Sequence, residues 1–288
     1  MPKSDAINSQ VGFYAQDQMK FGQHWSLVAG LRHDTATSKV EDGVTKTQTD
    51  NATTGRIGAV YLADNGLAPY ISYSESFVPV VGTNFFNKAY SPKTGKQTEV
   101  GLRYQPLNSN SMYTASMYKL KESNRLSSDP TNPNNQLQGG EAKVWGIELE
   151  ALANLTDHID LIANYSYTHA RTNSDKDLVA LTGPYIAEVH ENVASTWATY
   201  QFSVADITGF KVGAGVRYVG SGTDETGTLD LPSVTLFDAM LAYENAKWKF
   251  ALNGNNITDK TYITTCGARG DCWFGSRSSV VGSLTYKF

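Results

Sequence analysis

The connections between strand-like segments constrain this chain more than any single segment does. Period-two alternation marks about thirteen strand candidates and no amphipathic helix. The strands fall near residues 9–20, 25–35, 53–63, 68–77, 96–105, 111–121, 141–153, 158–170, 191–203, 209–219, 233–243, 247–256 and 277–288. Short turns sit at Gly22-Gln23, Asp64-Asn65-Gly66, Pro106 to Asn110, Thr156-Asp157, Ala205 to Thr208 and Asn245-Ala246. Long polar loops sit near 36–52, 78–95, 122–140, 171–190, 220–232 and 257–276. Short and long alternate without exception. An outer-membrane barrel connects its strands in this way, with tight turns at one rim and extended loops at the other. A Greek-key sandwich has no reason to. The expected fold is therefore all-β, an antiparallel transmembrane β-barrel.

Facing sharpens the expectation. One face of successive strands holds Trp145, Ile147, Leu149 and Ala151, then Ile159, Leu161, Ala163, Tyr165 and Tyr167. It continues with Val212, Ala214, Val216 and Tyr218, with Phe237, Ala239, Leu241 and Tyr243, and with Trp248, Phe250 and Leu252. None of these is charged. The opposite faces hold Glu148, Glu150, Asp160, Arg217, Asp238 and Lys249. A Lys or Arg at mid-bilayer costs about 2–4 kcal/mol, which enforces such segregation. The last strand repeats the pattern, with Phe288, Tyr286, Leu284, Gly282 and Val280 against Lys287, Thr285, Ser283 and Val281. With short turns at the periplasmic rim, Tyr104, Tyr200, Phe202, Tyr243, Trp248, Phe250, Tyr286 and Phe288 form an inner aromatic girdle. Trp145, Tyr165, Tyr167 and Tyr218 form an outer one. Glu75, Glu99, Glu148 and Glu150 are expected to face the lumen.

Charge and cysteine content narrow the function classes. A net charge of −4 with pI near 5.7 leaves no basic surplus, so nucleic acid is not an expected partner. Two cysteines six apart, Cys266 and Cys272, read as a small disulfide-closed surface loop, which would add roughly 2 kcal/mol by restricting the unfolded chain. They are too few for a zinc site, and the five histidines show no ligand spacing. His169 and Ser166 imitate a catalytic pair, yet i and i+3 on a strand point to opposite faces. No catalytic or metal site is expected, and the chain does not read as an enzyme. No signal peptide is evident at Met1 to Asp5. The odd strand count would force a parallel seam on closure, so residues 1–288 are expected to be the C-terminal part of a larger barrel domain.

Several stretches resemble TonB-dependent ferric-siderophore receptors of the ferrichrome and ferrioxamine type. They are Val11 to Gln18 (VGFYAQDQ), Leu27 to Asp34 (LVAGLRHD), Pro69 to Pro79 (PYISYSESFVP) and Lys96 to Gly101 (KQTEVG). Gly146 to Glu150 (GIELE), Asn255 to Tyr262 (NNITDKTY) and the terminal strand complete the set. The resemblance implies a 22-stranded barrel in the Gram-negative outer membrane, of which about 13 strands are here. It also implies an N-terminal plug domain and a TonB-contacting box, both absent from this chain. It implies import of ferric siderophores, with hydroxamate complexes favoured, energised through the TonB complex by way of the missing N-terminal part. Iron would arrive already chelated, so no resident cofactor is expected. Outer-membrane lipid and the barrel-assembly machinery are the other implied partners, the latter reading the terminal strand at Tyr286 and Phe288. Substrate contacts are expected from aromatics of the long loops: Trp273, Phe274, Tyr185, Phe85 and Phe86, with Phe77 and Tyr90 as further candidates. By resemblance Trp273 leads, because it follows the second cysteine where the ferrichrome-type receptor carries a binding aromatic. A passive porin-like or structural outer-membrane barrel is the alternative, and a soluble carbohydrate-binding β protein the third reading.

Overall fold

The computed structural model describes residues 5–42, 44–129, 132–172, 186, 189–224, 229–267 and 270–288. Among the described residues nineteen strands run along the chain, the first six being β1 (Asp5–Phe21), β2 (Trp25–Asp42), β3 (Val44–Tyr61), β4 (Leu67–Val78), β5 (Lys93–Tyr104) and β6 (Met112–Ser123). After them come β7 (Leu126–Asp129), β8 (Asn132–Gln138), β9 (Glu141–Thr156), β10 (Ile159–Thr172), β11 (Asn192–Val204) and β12 (Ile207–Val219). The chain then forms β13 (Gly222–Thr223), β14 (Asp230–Leu231), β15 (Val234–Glu244), β16 (Trp248–Asn255), β17 (Ile263–Cys266), β18 (Cys272–Phe274) and β19 (Ser279–Tyr286). Thirteen of them make one antiparallel sheet in the order β1-β2-β3-β4-β5-β6-β9-β10-β11-β12-β15-β16-β19, with β1 and β19 at its edges. Each expected strand corresponds to one strand of this sheet. The other six form the hairpins β7–β8, β13–β14 and β17–β18, all inside long loops.

One long loop is not a loop. The 36–52 segment continues the sheet, β2 and β3 pairing from Trp25↔Tyr61 out to Asp42↔Val44. Its polar composition reads as coil, but its threonines suit a pleated surface and pair across it. Thr35 Oγ1 donates to Asn51 at 2.7 Å, and Thr37 faces Thr49 at 3.4 Å.

The register carries the facing across the whole sheet. One row runs Ile71↔Val100↔Met117↔Ile147↔Tyr167. Another runs Tyr200↔Val212↔Leu241↔Leu252↔Gly282. Most of these side chains are exposed, with Ile71 at 52%, Met117 at 53% and Leu252 at 40%. The opposite face buries polar groups instead, including Asp34, Ser116 and Asp238. A soluble sheet buries its apolar face, and this one exposes it, as a wall solvated by lipid does. At the short-turn end the rings form chains: Tyr200, Phe202, Phe210 and Tyr243 have successive centroids 4.8–5.8 Å apart. Trp248, Tyr286 and Phe288 continue them at 4.7 and 5.2 Å.

Glu75 departs from expectation. It pairs with Lys96 on the face shared by Ile71 and Tyr73, whereas Glu99, opposite Ser72, is on the polar face with Glu148 and Glu150. Residues 71, 73 and 75 share a side by parity, and the charge of Glu75 lies near the loop-side rim beside Lys96. On the polar face, Trp197 lies across Gly213 and Gly215, where an added Cβ would come within 2.5 and 2.4 Å of the indole. Tyr70 on Gly101 and Tyr118 on Gly146 repeat the arrangement.

Candidate functional site

The loop following β16 is held by its own ends. Asn256 is almost fully buried and adopts a left-handed φ of 47°. Its backbone N–H donates to Asp238 at 2.9 Å. Its side chain accepts from the Lys260 N–H at 2.9 Å and donates to the carbonyls of Lys260 and Ser276 at 2.9 and 3.1 Å. One amide thus joins the start of the loop to its finish. Asp238 is fixed in turn by a bidentate pair with Arg217, at 2.5 and 2.8 Å. Farther out, Arg277 grips Asp259 through two guanidinium nitrogens, Nε at 2.7 Å and Nη2, and the Ser278 N–H donates to the same carboxylate at 2.9 Å.

Above this anchor stands the β17–β18 hairpin, closed by the Cys266–Cys272 disulfide. Trp273 sits opposite Thr265 and packs its ring against Gly267. It is half exposed, and Phe274 is more so. Tyr262 lies over Gly275, where a Cβ would come within 2.0 Å of its ring, and with Ile263 and Thr264 it roofs a cavity of about 460 Å³. Ser195, Arg217 and Leu236 supply part of the cavity floor. His190 lines it as well; its Nδ1 is buried with no hydrogen-bond partner among the described residues.

The other candidate aromatics fall into different places. Phe85 and Phe86 are well exposed and meet edge to face at 5.6 Å, on a turn organised by the Asn84 carboxamide accepting from the Phe86 and Lys88 N–H groups. Among the described residues no ring contact joins them to Trp273 or Phe274. Tyr90 is buried and structural: its carbonyl accepts from Gln48 at 2.8 Å and its hydroxyl donates to the Gln136 carbonyl at 3.3 Å. It ties its loop to β3 and to β8 and presents no ring to a ligand. Tyr185 lies outside the described residues. His169 pairs with Glu191 at 3.3 Å and leans on Trp145, away from Ser166. Among the described residues no group of three or more metal-ligating side chains gathers. Asn256 and Tyr262 also build the site, and their trace in the sequence is the run Asn255 to Tyr262 that carries part of the family resemblance.

The Asp259 clamp has a pH signature. Arg277 first, then the Ser278 N–H, holds its carboxyl down to about 2, against about 3.9 in an unfolded chain. A carboxyl depressed in the fold adds stability above the unfolded value and loses it as the pH falls through the folded one. The loop is therefore expected to loosen between pH 4 and about 2. Pepsin nicking of residues 257–276 checks this: wild type should approach the rate of Asp259→Asn only at the acid end, and a constant ratio refutes it.

Comparison with known proteins agrees with this architecture. A family model described as TonB dependent receptor-like, beta-barrel matches residues 2–257. The ferrioxamine B receptor of Salmonella typhimurium strain SL1344 is 34% identical over 97% of this chain and 40% of its own length. The ferrichrome outer membrane transporter/phage receptor of Escherichia coli K12 is 33% identical over 97% of this chain and 38% of its own. The crystal structure of the ferric-catecholate import receptor Fiu of E. coli K12 in its closed form superposes with a TM-score of 0.80 at 20% identity, covering 99% of this chain and 45% of that one. The chain thus spans about two fifths of the curated relatives it matches. It belongs to the TonB-dependent receptor-like β-barrel family.

Proposed function

We propose that this chain is the C-terminal wall and outer-loop region of an outer-membrane receptor that imports ferric siderophores, hydroxamate complexes among them. The observation that carries the reading is the pairing of a lipid-solvated strand wall with loops stapled together at one rim, where Trp273, Phe274, Phe85 and Phe86 are exposed. Compact, partly apolar chelates are recognised by aromatic faces with a few fixed polar groups. The chain acts as a binding and transport wall and not as an enzyme. Energy would come through the TonB complex. Tyr286 and Phe288, ring against ring at the end of the last strand, are the proposed mark for the barrel-assembly machinery. The relatives are receptors, and nothing in the described residues of the loops favours a passive porin.

The test is iron-limited growth of a strain carrying the full-length gene, supplied with a panel of siderophores. Rescue by ferrioxamine- or ferrichrome-like hydroxamates is expected, and rescue by none refutes the reading. Within that assay Trp273→Ala should weaken ligand binding roughly tenfold, the worth of one buried aromatic contact. Unchanged affinity would remove Trp273 from the site.

A further inference from the structure

We propose that the cavity beneath the β17–β18 hairpin is a side pocket for a short acyl chain headed by a neutral amide. Its floor is made of cross-strand rows on the inward face of β11, β12 and β15. Val193, Val219 and Val234 form the row nearer the loops, and Ser195, Arg217 and Leu236 the one below. One step farther down the face is polar, with Asp238 opposite Gly215. A water-filled bore has no use for aliphatic side chains at its mouth. The hairpin covers them in part, with Tyr262, Ile263 and Thr264 as the roof, and leaves about 460 Å³ between.

That volume lies toward the lower end of the range for small-molecule pockets, about 300–1,000 Å³. It suits a chain and not a whole chelate. Aliphatic walls that face a gap forgo dispersion contacts, which a chain seated between them would restore. Val219 stands at the centre of the row nearer the loops, with a valine directly opposite it on each side. The row is held by strand pairing and cannot close on itself, so the contacts have to come from outside it.

The polar groups that line the same cavity select the head of the chain. Asp238 engages Nε and Nη2 of Arg217, which leaves Nη1 to donate to a further acceptor. Ser195, directly opposite Arg217, adds a hydroxyl. His190 Nδ1 is buried with no hydrogen-bond partner among the described residues. Its ring lies over Gly222, where a Cβ would come within 2.9 Å of Nδ1, so the imidazole is backed by a missing side chain. With the ring proton on Nε2, Nδ1 accepts a hydrogen bond. An amide answers both needs, its carbonyl accepting from Arg217 or Ser195 and its N–H donating to His190. Asp238 already balances the guanidinium, so a carboxylate gains little there and an ammonium is repelled. A plain alkyl chain would leave His190 unpaired.

Two sources carry this chemistry, an acylated arm of the imported chelate and a free amphiphile. For the first the inference rests on the uptake reading above; for the second it does not. Full-length receptor in nanodiscs would be titrated with ferrioxamine B acylated on its free amine by acetyl or by hexanoyl. A separate arm would use free acetamide or hexanamide, with binding read by saturation-transfer NMR. The hexanoyl form should bind about tenfold tighter or better in at least one arm, because its added methylenes meet the valine row. Val219→Phe, which fills the cavity from its floor, should abolish that advantage, and His190→Leu should cut it about threefold or more. Heat-modifiable gel mobility shows that each variant is folded. An advantage with the chelate assigns the pocket to its arm, and one with hexanamide alone assigns it to a free amphiphile. Failure of both chelates to bind would sink the uptake reading, and hexanamide would then decide the pocket by itself. Equal binding of both chain lengths in both arms, or an advantage that survives Val219→Phe, overturns the proposal.

Discussion

Leu149→Arg is expected to destabilise the folded barrel by about 2–4 kcal/mol, the cost of a cation near the middle of the lipid face. Leu149 stands on β9 between Ala115 and Tyr165, on the apolar face and away from the charges at its loop-side rim, and is substantially exposed. Exposure would make such a change nearly neutral in a soluble protein. The matched control is Asn164→Arg, on the neighbouring strand but the other face, opposite Glu150. There the new cation meets water and a carboxylate, and the expected cost is under about 1 kcal/mol. Denaturant unfolding of the full-length receptor from lipid vesicles gives both values. Equal costs would mean that the two faces see the same solvent, and the membrane reading would fall with that result.

Asn256→Ala should cost about 3 kcal/mol, concentrated in one loop. The change removes an acceptor for Lys260 and donors for the Lys260 and Ser276 carbonyls. Leaving buried backbone groups unpaired costs about 1–3 kcal/mol each. Alanine must also hold the left-handed φ of 47°, which a carboxamide tolerates better than a methyl group does. Hydrogen exchange should quicken across residues 257–276 and not in β4 or β5, and ligand affinity should fall although no contact residue was altered. Uniform exchange throughout the sheet would show that Asn256 supports the wall, not the loop.

Much of the wall was readable from residue order, because each strand records its two solvents locally in odd and even positions. Trp145 to Ala151 and Trp248 to Leu252 declare their faces without reference to any partner. What resisted reading was whatever depends on distant strands. Glu75 looked lumenal because a carboxylate on an apolar face is unexpected in mid-strand; its place beside Lys96 and near the rim decides the matter. The β2–β3 extension was hidden because polarity outweighed the pairing capacity of its threonines. Tyr90 gave no signal beyond being an aromatic, and Asn256 none beyond its place in the run Asn255 to Tyr262, since their roles consist of bonds to residues 46 and 20 positions away.

The glycines beneath Trp197, Tyr70 and Tyr118 carry a consequence for whatever occupies the bore. A bulky ring on a concave wall would ordinarily project as an obstacle, yet each of these is recessed into a missing side chain and lies level with its surroundings. Large π surfaces are thereby offered broadside, while the clearance stays close to that of a smaller side chain. A body seated against this lining can slide or turn past its aromatics without having to lift over them.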